Sequence, residues 1–256
     1  SLLGLESRNN RSQRNRTMHI FYTPDIATIR ELPEEESHHC VKVLRLSEGA
    51  EILLADGVGT FYKAVISLAH PKHCAVEIIE TIPTPPSWKF KVHIAIAPTK
   101  NLDRMEWFAE KCTEVGIDSI TPLLCRFSER KELKTDRLRK ILVSAMKQSL
   151  KAVCPHLDEM TGFRHFVERP FDGEKYIAHC RDDERVLLTD CYKPGHDAVI
   201  LIGPEGDFSP EEVDLAVANG FRPISLGDTR LRTETAGLVA CHTLHVVNMM
   251  KKNIVK

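Results

Sequence analysis

The hydrophobic pattern changes its period at Pro83-Thr84-Pro85-Pro86, and that change constrains the fold more than any other feature of the chain. Proline can neither complete a sheet ladder nor continue a helix, so the run reads as a linker, 83–87. Ahead of it lie short alternating segments. These are Ile52-Leu53-Leu54, then Phe61-Tyr62-Lys63-Ala64-Val65-Ile66 after an Asp56-Gly57-Val58-Gly59 turn, then 75–79. They predict a small strand-rich domain over 18–82. Behind the linker, over 88–252, apolar runs alternate with helical periodicity, the pattern of an α/β domain built on a parallel sheet. A chain of 256 residues is long enough for two such cores.

Within the second domain, 92–97 predicts the first buried strand. Asp103, with Glu106 in the capping-box position, predicts a helix carrying Phe108, Cys112 and Val115 on one face and ending at Gly116. A strand over 120–124 follows. Thr135 then opens an amphipathic helix with Leu138, Ile141, Leu142, Ala145, Ser149 and Leu150 on one side. The stretch 154–183 shows no clear period. Residues 186–189 and 198–202 read as strands, and Ser209-Pro210-Glu211-Glu212 announces a helix by N-cap, first-turn proline and capping-box glutamate. A short strand over 224–226 and a last helix over 235–250 complete the reading.

Residues 1–17 carry Arg8, Arg11, Arg14 and Arg16 among Asn, Ser and Gln and offer almost nothing to bury. They read as a disordered expression leader before a native start at Met18, with a basic nucleic-acid arm as the competing reading. Without its four arginines and one glutamate the formal charge moves from −1 to about −4, the wrong sign for a chain that coats itself on nucleic acid, so any such contact would have to come from local basic patches. No window approaches the roughly 20 apolar residues of a membrane span. The eight cysteines never form C-x-x-C and several lie in apolar runs, which argues against a zinc ribbon and for a reducing cytoplasm. The histidine pairs His242/His245 and His70/His73 lack a nearby Cys or carboxylate in a ligand pattern, so no metal is expected.

Ligands of parallel sheets collect at the carboxyl ends of strands, which directs attention to the turns after Ile202 and Leu226. Gly203 and Gly206 flank Pro204-Glu205 and leave backbone groups unobstructed for a ligand, although a bare Gly-x-x-Gly is also an ordinary tight connection. The chain has no G-x-G-x-x-G after a strand and no G-x-x-x-x-G-K-[ST], which speaks against NAD and ATP. The second turn gathers Arg230, Arg232 and Glu234 at a helix start, where a solvated cap is the plainer reading. Two such loops on one sheet favour a shared pocket.

Leu201-Ile202-Gly203-Pro204-Glu205-Gly206 and Leu226-Gly227 followed by Leu231-Arg232-Thr233-Glu234-Thr235-Ala236 resemble the two signature loops of the 16S rRNA uridine-N3 methyltransferases of the SPOUT superfamily (RsmE type). The likeness extends through Arg104-Met105-Glu106, Lys111 to Gly116, Ile120-Thr121-Pro122-Leu123 and His39-Cys40-Val41-Lys42-Val43-Leu44-Arg45. It implies an α/β domain tied in a deep trefoil knot after a small PUA-like β-barrel that helps hold RNA. It also implies a homodimer and a bent S-adenosyl-L-methionine held, largely by backbone atoms, by the residues of the two loops just quoted other than Glu234. Two departures stand out. Asp207 occupies a position where the family usually has a second glycine, a change expected to be tolerated if the backbone there is not left-handed. Lys147-Gln148-Ser149-Leu150-Lys151 differs from the family's stretch on the RNA side.

On this resemblance Arg232 is the residue expected to stabilise negative charge on the uracil carbonyls, with Glu234 or Glu205 accepting the proton or orienting the arginine. A purely structural Arg232–Glu234 pair is the alternative. RNA contacts are expected from Lys42, Arg45, Lys100, Arg104, Arg126 and Arg130, the last two in a basic run that includes Phe127 and continues to Lys140. Competing functions are a related SPOUT enzyme acting on another RNA and an RNA-binding module without catalysis.

Overall fold

The computed structural model describes residues 18–180 and 185–252, so the leader expected over 1–17 lies outside the described residues. The chain divides into two compact units, one running to Pro86 and including Met146–Cys154, the other formed by Ser87–Ala145 and the chain from Pro155 onward.

The first unit contains β1 (Ile20–Tyr22), α1 (Glu34–His38), a π-helical turn (His39–Val43), β2 (Glu51–Ala55), β3 (Thr60–Leu68) and β4 (Ala75–Pro83). Its sheet has the order β1-β2-β3-β4, parallel at β1/β2 and antiparallel after that. Phe21, Ile52, Leu54, Ala64, Ile66 and Val76 form its core with Ile26, Leu32 and Cys40, as a two-residue period on one covered face requires. Met146–Cys154 belongs to this unit, although its hydrophobic period read as part of the second domain. The Gly59 N–H donates to the Ala152 carbonyl at 3.0 Å, and the Cys154 N–H donates to Gly57 at 2.8 Å. Leu150, expected on a buried helix face, lies past the helix end at φ 54 and is half exposed.

The second unit runs β5 (Val92–Ile96), α2 (Leu102–Val115), β6 (Ser119–Leu124), α3 (Thr135–Gln148), β7 (His156–Leu157), β8 (Thr161–Gly162) and α4 (Phe163–Val167). It continues through β9 (Glu174–Ala178), β10 (Val186–Leu187), α5 (Leu188–Cys191), β11 (Ala198–Ile202), α6 (Pro210–Ala218), β12 (Arg222–Ser225) and α7 (Thr233–Lys252). The sheet is parallel throughout, in the order β10-β12-β9-β11-β5-β6, with β7 and β8 both beside β6. All five residues of β11 are buried, because a central parallel strand is covered on both faces and has no solvent side to alternate with. Each of its large side chains contributes about 1.5–3 kcal/mol by burial.

Local signals account for most boundaries. Ser209 caps α6 with both halves of a capping box and Pro210 at the first position, as the sequence predicts. At α2 the cap is Asn101 instead of the expected Asp103: its side chain accepts from the Asp103 N–H at 2.9 Å, and Glu106 faces Arg137. The strand predicted over 186–189 stops at Leu187 and turns into α5. Helix α7 packs on α2 and β5 at Gly237, where a Cβ would stand 2.6 Å from the Phe108 ring; only glycine permits that approach.

Candidate cofactor site

Loops after β9, β11 and β12 leave the sheet at its carboxyl edge and enclose a cavity of about 960 Å³. Gly203 to Asp207 line one wall and Leu226 to Thr233 a second, joined by Ala178, His179, Cys180 and Arg185; Arg104 and Ala236 come from α2 and α7. The two turns singled out from the sequence therefore meet. A buried hydrogen bond fastens them, from the Thr233 hydroxyl to the Gly203 carbonyl at 3.0 Å. Glu205 ties the first turn to the loop after β5 by accepting from the Lys100 N–H at 3.1 Å.

Of the residues expected to hold a cofactor, Ile202, Gly203, Pro204, Glu205, Gly206, Leu226, Gly227, Leu231, Arg232, Thr233 and Ala236 line the cavity. Leu201 and Thr235 do not; the Leu201 side chain lies in the core with Val199, Phe208 and Val213. The lining combines apolar surface from Ile202, Pro204, Leu226 and Leu231 with the carboxylates of Glu205, Asp207 and Asp228. Gly227 sits at φ 136 with open space where a Cβ would be, so bare backbone faces the cavity there. Such a lining suits a ligand with a flat apolar group and cationic centres, read largely by main-chain atoms.

The expected catalytic pair is divided by the wall. Arg232 is exposed and lines the cavity, and its carbonyl accepts the first bond of α7 from the Ala236 N–H at 2.8 Å. Glu234 lies behind the wall, buried, with Oε1 3.8 Å from Arg104 Nε and Oε2 lacking a hydrogen-bond partner among the described residues. A carboxylate in the first turn of a helix is favoured by the helix dipole, and its open oxygen calls for a donor.

The expected RNA-facing cations separate into two groups. Lys42 and Arg45 are exposed on the first unit, and Arg126 is exposed on the second. Arg130, by contrast, donates from Nε to the Thr99 carbonyl at 3.1 Å and from Nη2 to Lys100 at 2.6 Å, which makes it a brace for the loop after β5. Lys100 pairs with Glu129 at 3.0 Å, and farther along the run Arg139 pairs with Glu159. Sequence reasoning missed Arg185 and the wall from Ala178 to Cys180 because Glu174–Ala178 mixes charged and apolar residues without a period. Among the described residues no group of three or more His, Cys, Asp or Glu could hold a metal ion, and no helix is long and apolar enough to cross a membrane.

The fold and the cavity define a class, an α/β protein with a ligand cage at the carboxyl edge of a parallel sheet. Comparison with known proteins narrows it. A family model described as an RNA methyltransferase domain matches residues 86–245, and one described as an RNA methyltransferase PUA domain matches 32–79. The ribosomal RNA small subunit methyltransferase E of Synechocystis sp. is 30% identical over 216 residues, which cover 82% of this chain and 70% of that protein. A structure described as a probable rRNA-methyltransferase from Porphyromonas gingivalis superposes with a TM-score of 0.86 at 42% identity, covering 91% of this chain and 100% of that one. Ribosomal RNA small subunit methyltransferase E from Neisseria gonorrhoeae, bound to S-adenosyl methionine, gives a TM-score of 0.80 at 26% identity over 90% of this chain and 98% of that one. The chain belongs to the ribosomal RNA small subunit methyltransferase E family.

Gly203 has a role different from the one its sequence suggests. A Cβ there would meet the Phe208 ring at 3.1 Å and the Phe208 nitrogen at 3.2 Å, so it would press on the core and not enter the cavity. Gly203→Val is therefore expected to displace the whole turn, lowering stability by about 1–3 kcal/mol and weakening binding of S-adenosylmethionine. Thermal unfolding and calorimetry check this; full affinity in the variant would place the binding site elsewhere.

Proposed function

We propose that this chain methylates N3 of a uridine in 16S rRNA of the small ribosomal subunit, using S-adenosylmethionine. The observation that carries the reading is the Thr233–Gly203 hydrogen bond, which closes two loops into one cage. Family membership and the S-adenosyl methionine bound to the Neisseria relative support the same donor here. Ile202, Pro204, Leu226 and Leu231 would hold the adenine, with bare backbone at Gly227 and the carboxylates of Glu205 and Asp228 suited to the cationic parts. When bound, the donor supplies a methyl group already activated on a cationic sulfur.

The protein's work is then positioning and charge control. For N3 of the uracil to act as the nucleophile its imide proton would have to leave, so residues at the cavity wall would have to take the proton and meet the charge left on the base. Arg232, always charged and forked, stabilises the negative charge that spreads onto the uracil carbonyl oxygens. Glu205, on the cavity lining, accepts the proton, while Glu234, behind the wall, holds Arg104 through their ion pair. Lys42, Arg45, Arg126, Lys100 and Arg104 supply attraction to RNA phosphates, while Arg130 holds the loop that carries Lys100.

The family resemblance adds a trefoil knot in the large unit and a PUA-like barrel for RNA in the small one. It adds a homodimer as well, for which the exposed Met249 and Met250 on α7 offer apolar surface. Thiols instead of disulfides at the eight cysteines suit a cytoplasmic location. Mass spectrometry of rRNA nucleosides from a deletion strain, with and without complementation, tests the substrate: loss and recovery of N3-methyluridine is the expected result. An unchanged rRNA would point to another RNA, and absence of S-adenosylmethionine binding in calorimetry would leave an RNA-binding module.

A further inference from the structure

Asp207 holds its backbone at φ 64, in the left-handed region, so the condition on which the sequence expectation of a tolerated aspartate rests is not met. A side chain there costs energy, and Asp and Asn tolerate it best because their short polar groups bond locally. The turn is closed by the Asp207 N–H donating to the Pro204 carbonyl at 2.8 Å. Its carboxylate then accepts two backbone hydrogen bonds: Oδ1 from the Phe208 N–H at 2.8 Å, and Oδ2 from the Cys180 N–H at 3.0 Å.

The second bond crosses a gap in the fold. β9 and β11 are paired in parallel up to Ala178 and Ile202, and beyond that register the two chains separate to form different walls of the cavity. Asp207 reconnects them past the end of the ladder, on the cavity lining itself. Local strain retained at a ligand cage and offset by long-range bonds is the pattern of a residue whose geometry serves binding.

We infer that Asp207 is a positioning residue that fixes the spacing between the Ala178–Cys180 wall and the Gly203–Phe208 turn, and thereby sets the affinity for the methyl donor. This rests on the cofactor reading of the cavity. Asp207→Gly keeps the left-handed backbone without strain and removes both carboxylate bonds. Asp207→Asn keeps one acceptor oxygen and the tolerance for positive φ.

The test measures amide hydrogen exchange at Cys180 and Phe208 in ligand-free protein, S-adenosylmethionine binding by calorimetry, and steady-state kinetics. Asp207→Gly is expected to speed exchange at both amides and to weaken binding about tenfold, the worth of roughly one charge-assisted hydrogen bond. KM for the donor should rise with kcat nearly unchanged, Tm should stay close to native, and Asp207→Asn should fall between native and glycine. Native affinity and native KM in Asp207→Gly would overturn the inference while leaving the cofactor reading intact. No binding by the native protein would overturn the cofactor reading itself, and the inference with it.

Discussion

Arg232→Ala is expected to lower kcat by about 10²–10³ while leaving the affinity for S-adenosylmethionine nearly native. The asymmetry follows from where the residue's two halves are held. Its backbone is locked independently of its side chain, by the Ala236 N–H on its carbonyl and by the neighbouring Thr233–Gly203 bond. Truncation at Cβ therefore leaves the cage closed. What disappears is an exposed guanidinium at the cavity wall, the group placed to meet charge that develops on the base only as it reacts. Arg232→Lys should recover part of the rate, since it keeps the charge and loses the planar fork. Parallel loss of kcat and of calorimetric affinity would mean that the arginine holds the donor, and its catalytic assignment would fail.

Which parts of this site could be read from the chain depends on the range of the interaction. β11 and the start of α6 announce themselves because burial on both faces and a capping box are local facts, written within a few residues. Loops that follow such elements are legible too, and the Gly203 and Gly227 turns do line one cavity. The bonds that make them a site are not local. Thr233 reaches Gly203 across 30 positions and Asp207 reaches Cys180 across 27, and no periodicity encodes either. Arg130 is a second such case: a basic run suggests phosphate contact, and nothing in that run shows that the guanidinium also meets two carbonyls brought to it by the loop after β5. Leu150 failed for a similar reason. Its spacing continues that of α3, but the helix ends two residues earlier and the backbone reverses its sense.

The other large effect concerns stability, and it originates at the opposite end of β5 from the cavity. His93 donates from Nε2 to the Thr121 oxygen at 2.7 Å, because the Thr121 hydroxyl's own proton goes to Asp158 Oδ2 at 2.5 Å. His156 and Arg169 approach the same carboxylate from outside, and the rings of Phe166 and Phe171 pack edge-on against the His93 ring. Burial pushes the imidazole down to about 4; attraction from Asp158 opposes this, and Arg169 and His156 reinforce it. The unfolded chain takes up a proton at this histidine near pH 6.5, whereas the folded chain does not until about pH 4. More protons bound to the unfolded state means that stability rises with pH. The contribution is thus complete above pH 6.5 and declines as the pH falls toward 4, by about 3 kcal/mol in total. Urea midpoints between pH 8 and pH 4 should show that decline in the native protein. His93→Gln, which keeps an N–H for Thr121 and cannot titrate, should remove most of it from this window. Equal slopes in the two proteins would mean that His93 takes up its proton as readily in the folded chain as in the unfolded one.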